Sequence, residues 1–240
     1  MNAETNRTPL LGVIGGMGPL ASAEFLKTIY EHSGGAREQE APIVLMYSDP
    51  TFPDRTEAFL RNSDRELLDQ LIDSLRRLCD FGVTSIIICC ITIHYLLPDL
   101  PLELRGRVHS LLDVIFEEVA RRRKRHLLIC TTGTRKSGVF QTHAQWERSR
   151  DYFVLPDEQD QDSIHELIYQ IKKNADVGES IPLLEALLTK YEVDSFIAGC
   201  TETHLLAKRF MSAQSVFTCI DPLDILAQQI ALKEIERESI

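Results

Sequence analysis

The sequence predicts an α/β protein. Strand-length apolar runs alternate with helix-length amphipathic segments, which is the pattern of βαβ units. The strands are apolar at nearly every position rather than at alternate ones, as a parallel sheet covered on both faces requires. The second half of the chain also echoes the first. "LLGVIGGMGP" and "HLLICTTGTRKSG" each carry a strand into a Gly-containing turn and a helix, and each is followed later by a strand ending in Cys.

Taken in order, the strand from Leu10, "LLGVIG", opens the first half. The turn after it, Gly16-x-Gly18-x-x-Ala21, has the outline of a dinucleotide fingerprint, but Pro19 interrupts it and no acidic residue closes the second strand. Lacking a Gly-Lys-Ser/Thr as well, it reads as a turn whose backbone N–H groups face a small anion. "PIVLMYS" is the second strand, and "ELLDQLIDSLRRLCDFG" is an amphipathic helix stopped at Gly82. "TSIIICC" follows as a core strand. "VHSLLDVIFEEVARRRKR" reads as one helix whose basic end, from Arg121, favours the helix dipole and is solvated. "HLLICTT" opens the second half, "HAQWERSR" reads as a surface helix, and "DYFVLP", "DSFIAGC" and "SVFTCI" complete the strands.

A formal charge of −10 argues against a nucleic-acid surface, which needs clustered Lys and Arg. No apolar stretch approaches the roughly 18 residues of a membrane span. The polar opening "MNAETNRTP" has no apolar region of the export type, so a cytoplasmic protein is expected. The 6 cysteines then read as reduced thiols rather than a disulfide framework.

The chemistry centres on those thiols. Cys90-Ile-Thr92-Ile-His94 and Cys200-Thr201-Glu-Thr-His204 each begin where a core strand should end. Ligands of parallel sheets sit at the carboxyl ends of strands, so two such halves would face each other across one cleft. A thiol near a helix N-terminus has a lowered pKa and suits general base work. Two of them on opposite faces of a carbon could remove a proton and return it from the other side. The plainer reading of any single cysteine is a small core residue. That is the reading for Cys79, Cys130 and Cys219, and for Cys89, which must point away from Cys90 in a strand. A further reading makes the two Cys-x3-His pairs a zinc set, though the spacings are not those of common zinc modules.

Several motifs together resemble the aspartate/glutamate racemases, the cofactor-independent two-cysteine amino-acid racemases. "GVIGGMGP" is similar to their opening turn and "PDRT" (53–56) to their substrate loop. "CITIH" is similar to Cys-Asn-Thr-x-His, "TTGTRKSGVFQ" to their central stretch, and "IAGCTE" to their second cysteine motif. The resemblance implies two similar, pseudo-twofold related domains, each a four-stranded parallel sheet flanked by helices. They would span 1–106 plus 213–240 and 107–212, with the final strand and helix returning to the first. It implies Cys90 and Cys200 as the catalytic bases, and Met17, Arg55, Ile91, Thr92, Thr132, Thr134, Lys173 and Thr201 around the substrate. Arg55 would pair with the side-chain carboxylate, and counting from Tyr169 favours Lys173 over Lys172 as a second cation. It further implies an acidic amino-acid substrate, no cofactor, no metal and a homodimer. Two positions depart from the pattern: Ile91 stands where the family has Asn, and "CTETH" replaces "CTEIP". They leave a diverged enzyme, or a non-catalytic binder of a small carboxylic acid, as the alternative.

Overall fold

The computed structural model describes residues 10–34, 37–61, 63–212 and 216–232. The polar opening 1–9 and the end of the chain expected in the first domain, 233–240, lie outside them. The first half runs β1 (Leu10–Gly15), α1 (Pro19–His32), β2 (Ile43–Ser48), α2 (Arg55–Leu60), α3 (Asp64–Asp80) and β3 (Ser85–Ile88). A 3-10 stretch (Thr92–Asp99), α4 (Leu102–Arg105) and β4 (Val108–His109) follow. The second half has α5 (Leu111–Arg122), β5 (His126–Ile129), α6 (Thr132–Ser137), α7 (Trp146–Ser149), β6 (Phe153–Val154) and α8 (Glu158–Lys172). It ends with α9 (Ile181–Lys190), β7 (Ser195–Ala198), α10 (Thr203–Ser212), β8 (Thr218–Ile220) and α11 (Pro222–Ala231).

The strands form two four-stranded sheets, ordered β2-β1-β3-β4 and β6-β5-β7-β8, and every pairing is parallel. The order in the second sheet repeats that in the first, so the sequence echo is a structural one. Two expectations need correction. The final strand does not return to the first half: β8 pairs with β7, while α11 crosses back to pack on α1. The first sheet also reaches past 106, because Val108 and His109 pair with Ile86 and Ile87. The sequence pattern predicts a helix from Val108, but Ser110 caps α5 by accepting from the Asp113 N–H and so starts the helix after these two residues.

Three apolar layers hold the strands. Ile86 and Ile88 point to one face, against Leu71 and Leu75 of α3. Ile87 points to the other, into a core shared by both halves, with Val13, Phe116, Leu128, Ile197 and Leu223. The third layer covers the far face of the second sheet with Ile168, Leu188 and Phe210. Each such side chain contributes about 1.5–3 kcal/mol on burial. Trp146, expected on a surface helix, is half-buried against Phe153 in the shared core. Among the described residues no helix is long and apolar enough to cross a membrane.

Candidate active site

Both cysteine motifs begin just beyond a strand. β3 ends at Ile88, and the alternation carries on past it: Cys89 and Ile91 join the shared core, while Cys90 joins the layer of Ile86 and Ile88. Cys200 stands at the corresponding point after β7. Both thiols are nearly closed off, at 4% and 6% exposure, and lie within each other's electrostatic reach.

Their surroundings differ in charge. Arg55, buried at the start of α2, donates to the Met17 carbonyl at 2.6 Å and to that of Pro53 at 3.0 Å. Its guanidinium lies beside Cys90. Burial works against its charge, but Cys90, Asp54 and Glu202 outweigh burial and raise its pKa. The Cys200 thiol instead donates to Glu202 Oε2 at 2.8 Å. Burial first, and the Glu202 carboxylate second, push the Cys200 pKa well above the ordinary thiol value. The lowered pKa expected at a helix start is therefore not found at Cys200, because desolvation and a neighbouring anion both favour the neutral thiol.

Lys172, rather than Lys173, lies within reach of Glu202 and Cys200. Lys173 caps the end of α8 and is exposed. Lys172 lies over the Tyr169 ring, its Nζ 3.9 Å from Asp54, within the field of Glu202 and Cys200. Burial lowers its pKa, but the electrostatic field of the site, Glu202 foremost, raises it, with a net rise. Asp54 ties this corner together. Its Oδ1 accepts the Thr56 and Glu57 N–H groups to cap α2, and its Oδ2 accepts the Tyr169 hydroxyl at 2.9 Å.

The threonines join the halves. Thr92 and Thr134 share a hydrogen bond between their hydroxyls at 2.7 Å, and Thr201 donates to the Cys89 carbonyl at 3.2 Å. The Thr132 N–H donates to His165 Nδ1. Met17 is buried and offers its carbonyl to Arg55. Ile91 is not brought to the side of Cys90; it is 1% exposed in the shared core.

The zinc set is not assembled. His94 Nδ1 donates to the Cys90 carbonyl at 2.7 Å while its Nε2 accepts the Leu111 N–H, and His204 sits between Asp221 and Thr28. No group of His, Cys, Asp or Glu among the described residues is arranged to hold a metal ion. In the glycine turn the Gly16 N–H donates to Ser22 Oγ at 3.2 Å. The sequence motifs point to no role for Glu202, Asp54 or Tyr169. Glu202 could have been found by its place two residues after a motif cysteine, but Asp54 and Tyr169 needed the fold.

An α/β protein of two like halves, with a thiol at the same point of each, is the class defined here. The chain belongs to the Asp/Glu/Hydantoin racemase family, whose model matches residues 14–230. Its fold is similar to that of Picrophilus torridus aspartate racemase, at 23% identity over 95% of this chain and 94% of that one, with a TM-score of 0.79. An aspartate racemase homologue from Pyrococcus horikoshii OT3 is also similar, at 19% identity, 94% and 98% coverage and a TM-score of 0.68. So is glutamate racemase from Francisella tularensis in complex with D-glutamate, at 14% identity, 97% and 83% coverage and a TM-score of 0.67. The family is one of racemases, as the Picrophilus and Francisella proteins are, and racemases are isomerases.

Proposed function

We propose that the protein is a cofactor-independent racemase of an acidic amino acid, using Cys90 and Cys200 as a two-base pair. The observation that carries this reading is the opposite electrostatic setting of two matched thiols. Cys90 has the Arg55 guanidinium as its charged neighbour. Cys200 is held as a thiol by burial and Glu202. Cys90 sulfur takes the Cα proton from one face, forming S–H as C–H breaks. Cys200 gives its proton to the other face, forming the new C–H and leaving a thiolate. For the opposite enantiomer the roles exchange. Lys172 and the remaining N–H groups of Arg55 supply positive charge for a dianionic substrate, in a protein whose net charge is otherwise −10. A ligand-bearing neighbour, the Francisella tularensis enzyme with D-glutamate, supports an acidic amino acid as the class. The reading includes a cytoplasmic homodimer.

The test is Cα proton exchange in deuterated buffer, with each amino acid supplied as either enantiomer and the products separated by chiral chromatography. Cys90→Ala and Cys200→Ala should each lower the rate by at least about a hundredfold, the lower range for a general acid–base group. Cys89→Ala should stay near wild type, since its side chain lies in the shared core. Exchange that survives both cleft substitutions would sink the two-base reading. Activity should persist after dialysis against EDTA.

A further inference from the structure

Glu202 has an oxygen with nothing to do. The residue is 2% exposed, and Oε2 accepts the Cys200 thiol, yet Oε1 finds no hydrogen-bond donor among the described residues. Leaving a buried acceptor unpaired is costly, and more so for a charged one, so such atoms in native proteins call for an explanation. Here the chain makes room for the arrangement. Gly18, the residue before α1, has no side chain, and a Cβ at that position would run into Glu202 Oε1. The carboxylate is thus held at the first turn of α1, where the helix dipole favours negative charge. Lys172 and Arg55 lie within its field, but their charges are also shared with Asp54, Cys90 and Cys200.

The missing partner of an aligned carboxylate oxygen is a donor, best of all a cation. We infer that Glu202 Oε1 is the ammonium anchor of the cleft, selecting ligands that carry an amino group on the carbon between the two thiols. This rests on the racemase reading and deepens it. Lys172 and Arg55 attract carboxylates, so they accept a dicarboxylate as readily as an amino acid; Glu202 is the group that tells them apart. The same carboxylate thereby joins ligand position to chemistry, since its other oxygen orients the Cys200 proton. It also accounts for a cleft that lacks the family's Asn beside the first cysteine. Ile91, in that place, is turned into the core and can hold no amine.

The experiment compares binding of matched pairs by calorimetry: aspartate against succinate and glutamate against glutarate, with both enantiomers of each amino acid. Wild type should bind at least one amino acid about ten- to a hundredfold more tightly than its desamino partner, the range of a charge-assisted hydrogen bond. Glu202→Gln should erase that ratio while succinate or glutarate binds as well as before or better, because a negative charge has left the cleft. Gly18→Ala, which displaces the carboxylate without removing it, should collapse the ratio too, and serves alone if Glu202→Gln does not fold. A ratio that survives in the folded variant overturns the anchor, as does equal loss for both members of a pair, or a wild type that binds none of them. Turnover is not needed for this readout. Discrimination erased by Glu202→Gln in a protein that never exchanges a Cα proton would leave the anchor standing and remove the racemase. Racemisation with an unchanged ratio would do the reverse.

Discussion

At Cys90 the backbone carbonyl has a partner as definite as the thiol's. His94 Nδ1 donates to it at 2.7 Å and His94 Nε2 accepts from Leu111 N–H at 3.1 Å, so one imidazole ties the cysteine to the start of α5. Burial lowers the His94 pKa from 6.5 to about 4. The unfolded chain therefore takes up this proton more readily than the fold. The stability gained from a neutral His94 is present above about pH 6.5 and is lost as pH falls towards about 4. His94→Asn, which keeps a donor for the Cys90 carbonyl, should be less stable than wild type at pH 7. The gap should narrow by about 2 kcal/mol near pH 5, read from urea unfolding at the two pH values. A gap that does not change with pH would mean that His94 does not titrate on unfolding. The lysines make a second case at this scale. His165, Tyr169 and Lys172 share one face of α8 by helical spacing, and Tyr169 is already fixed on Asp54. Lys172→Met should raise KM for an acidic substrate about tenfold or more, the worth of a charge-assisted bond, while Lys173→Met should not. Counting along the sequence could reach this helix but not choose between adjacent lysines, since one step turns a side chain about 100° around the axis.

Among the elements, α2 and α6 meet closely at Gly133 and Thr56, next to Arg55. Gly133 lies in the first turn of α6, and a Cβ there would stand 2.7 Å from Thr56 Cα and 2.8 Å from Thr56 Cβ. Thr56 Oγ1 is nearer still and could turn aside, but Cα is backbone and Cβ is fixed to it, so Gly133→Ala cannot be absorbed by a rotamer change and must push the helices apart. The expected cost is about 1–3 kcal/mol, as for other overpacked sites. Because Arg55 directly precedes Thr56, KM should rise as well. A variant with unchanged urea midpoint and KM would show that the two helices do not hold each other in place. The alternation of strands and helices was legible because apolar runs and amphipathic periods differ in length as well as in period. The alternation beyond β3 was legible too, in that Cys89 turns from Cys90. By the same rule Ile91 goes with Cys89, yet likeness to a motif had placed it at the substrate. β4 was hidden, since two residues carry no period, and "VHSLLDVIFEEV" reads as one helix until Ser110 is seen to cap its start.

The whole molecule depends on side chains that pass between the halves, and one of them is a departure from the family pattern. His204, at 0% exposure in α10, places Nδ1 2.6 Å from Asp221 Oδ2 and Nε2 2.9 Å from Thr28 Oγ1 on α1. Asp221 also caps α11 through the Leu223 and Asp224 N–H groups. Lys208, one turn along α10, reaches Thr28, Glu24 and Glu31. A histidine where Pro is usual thus bolts the second sheet's helix to the first half, along the path by which α11 returns. The echo between the halves was open to reading, because each half repeats its own strand, turn and cysteine. The way they are tied was not, because Thr28, His204 and Asp221 are far apart in the chain and carry no shared motif. If His204 is a bolt and not a reacting group, His204→Leu should cost stability without removing catalysis. The Asp221 carboxylate would be left buried with an oxygen unpaired, at about 1–3 kcal/mol. Asp221→Asn should then cost less in the His204→Leu background than in wild type, with a coupling of about 0.5–3 kcal/mol in a double-mutant cycle. The folded fraction of His204→Leu should hold its kcat, since neither His204 nor Asp221 touches a cleft thiol. A kcat that falls with no loss of unfolding free energy would instead place His204 in the proton path.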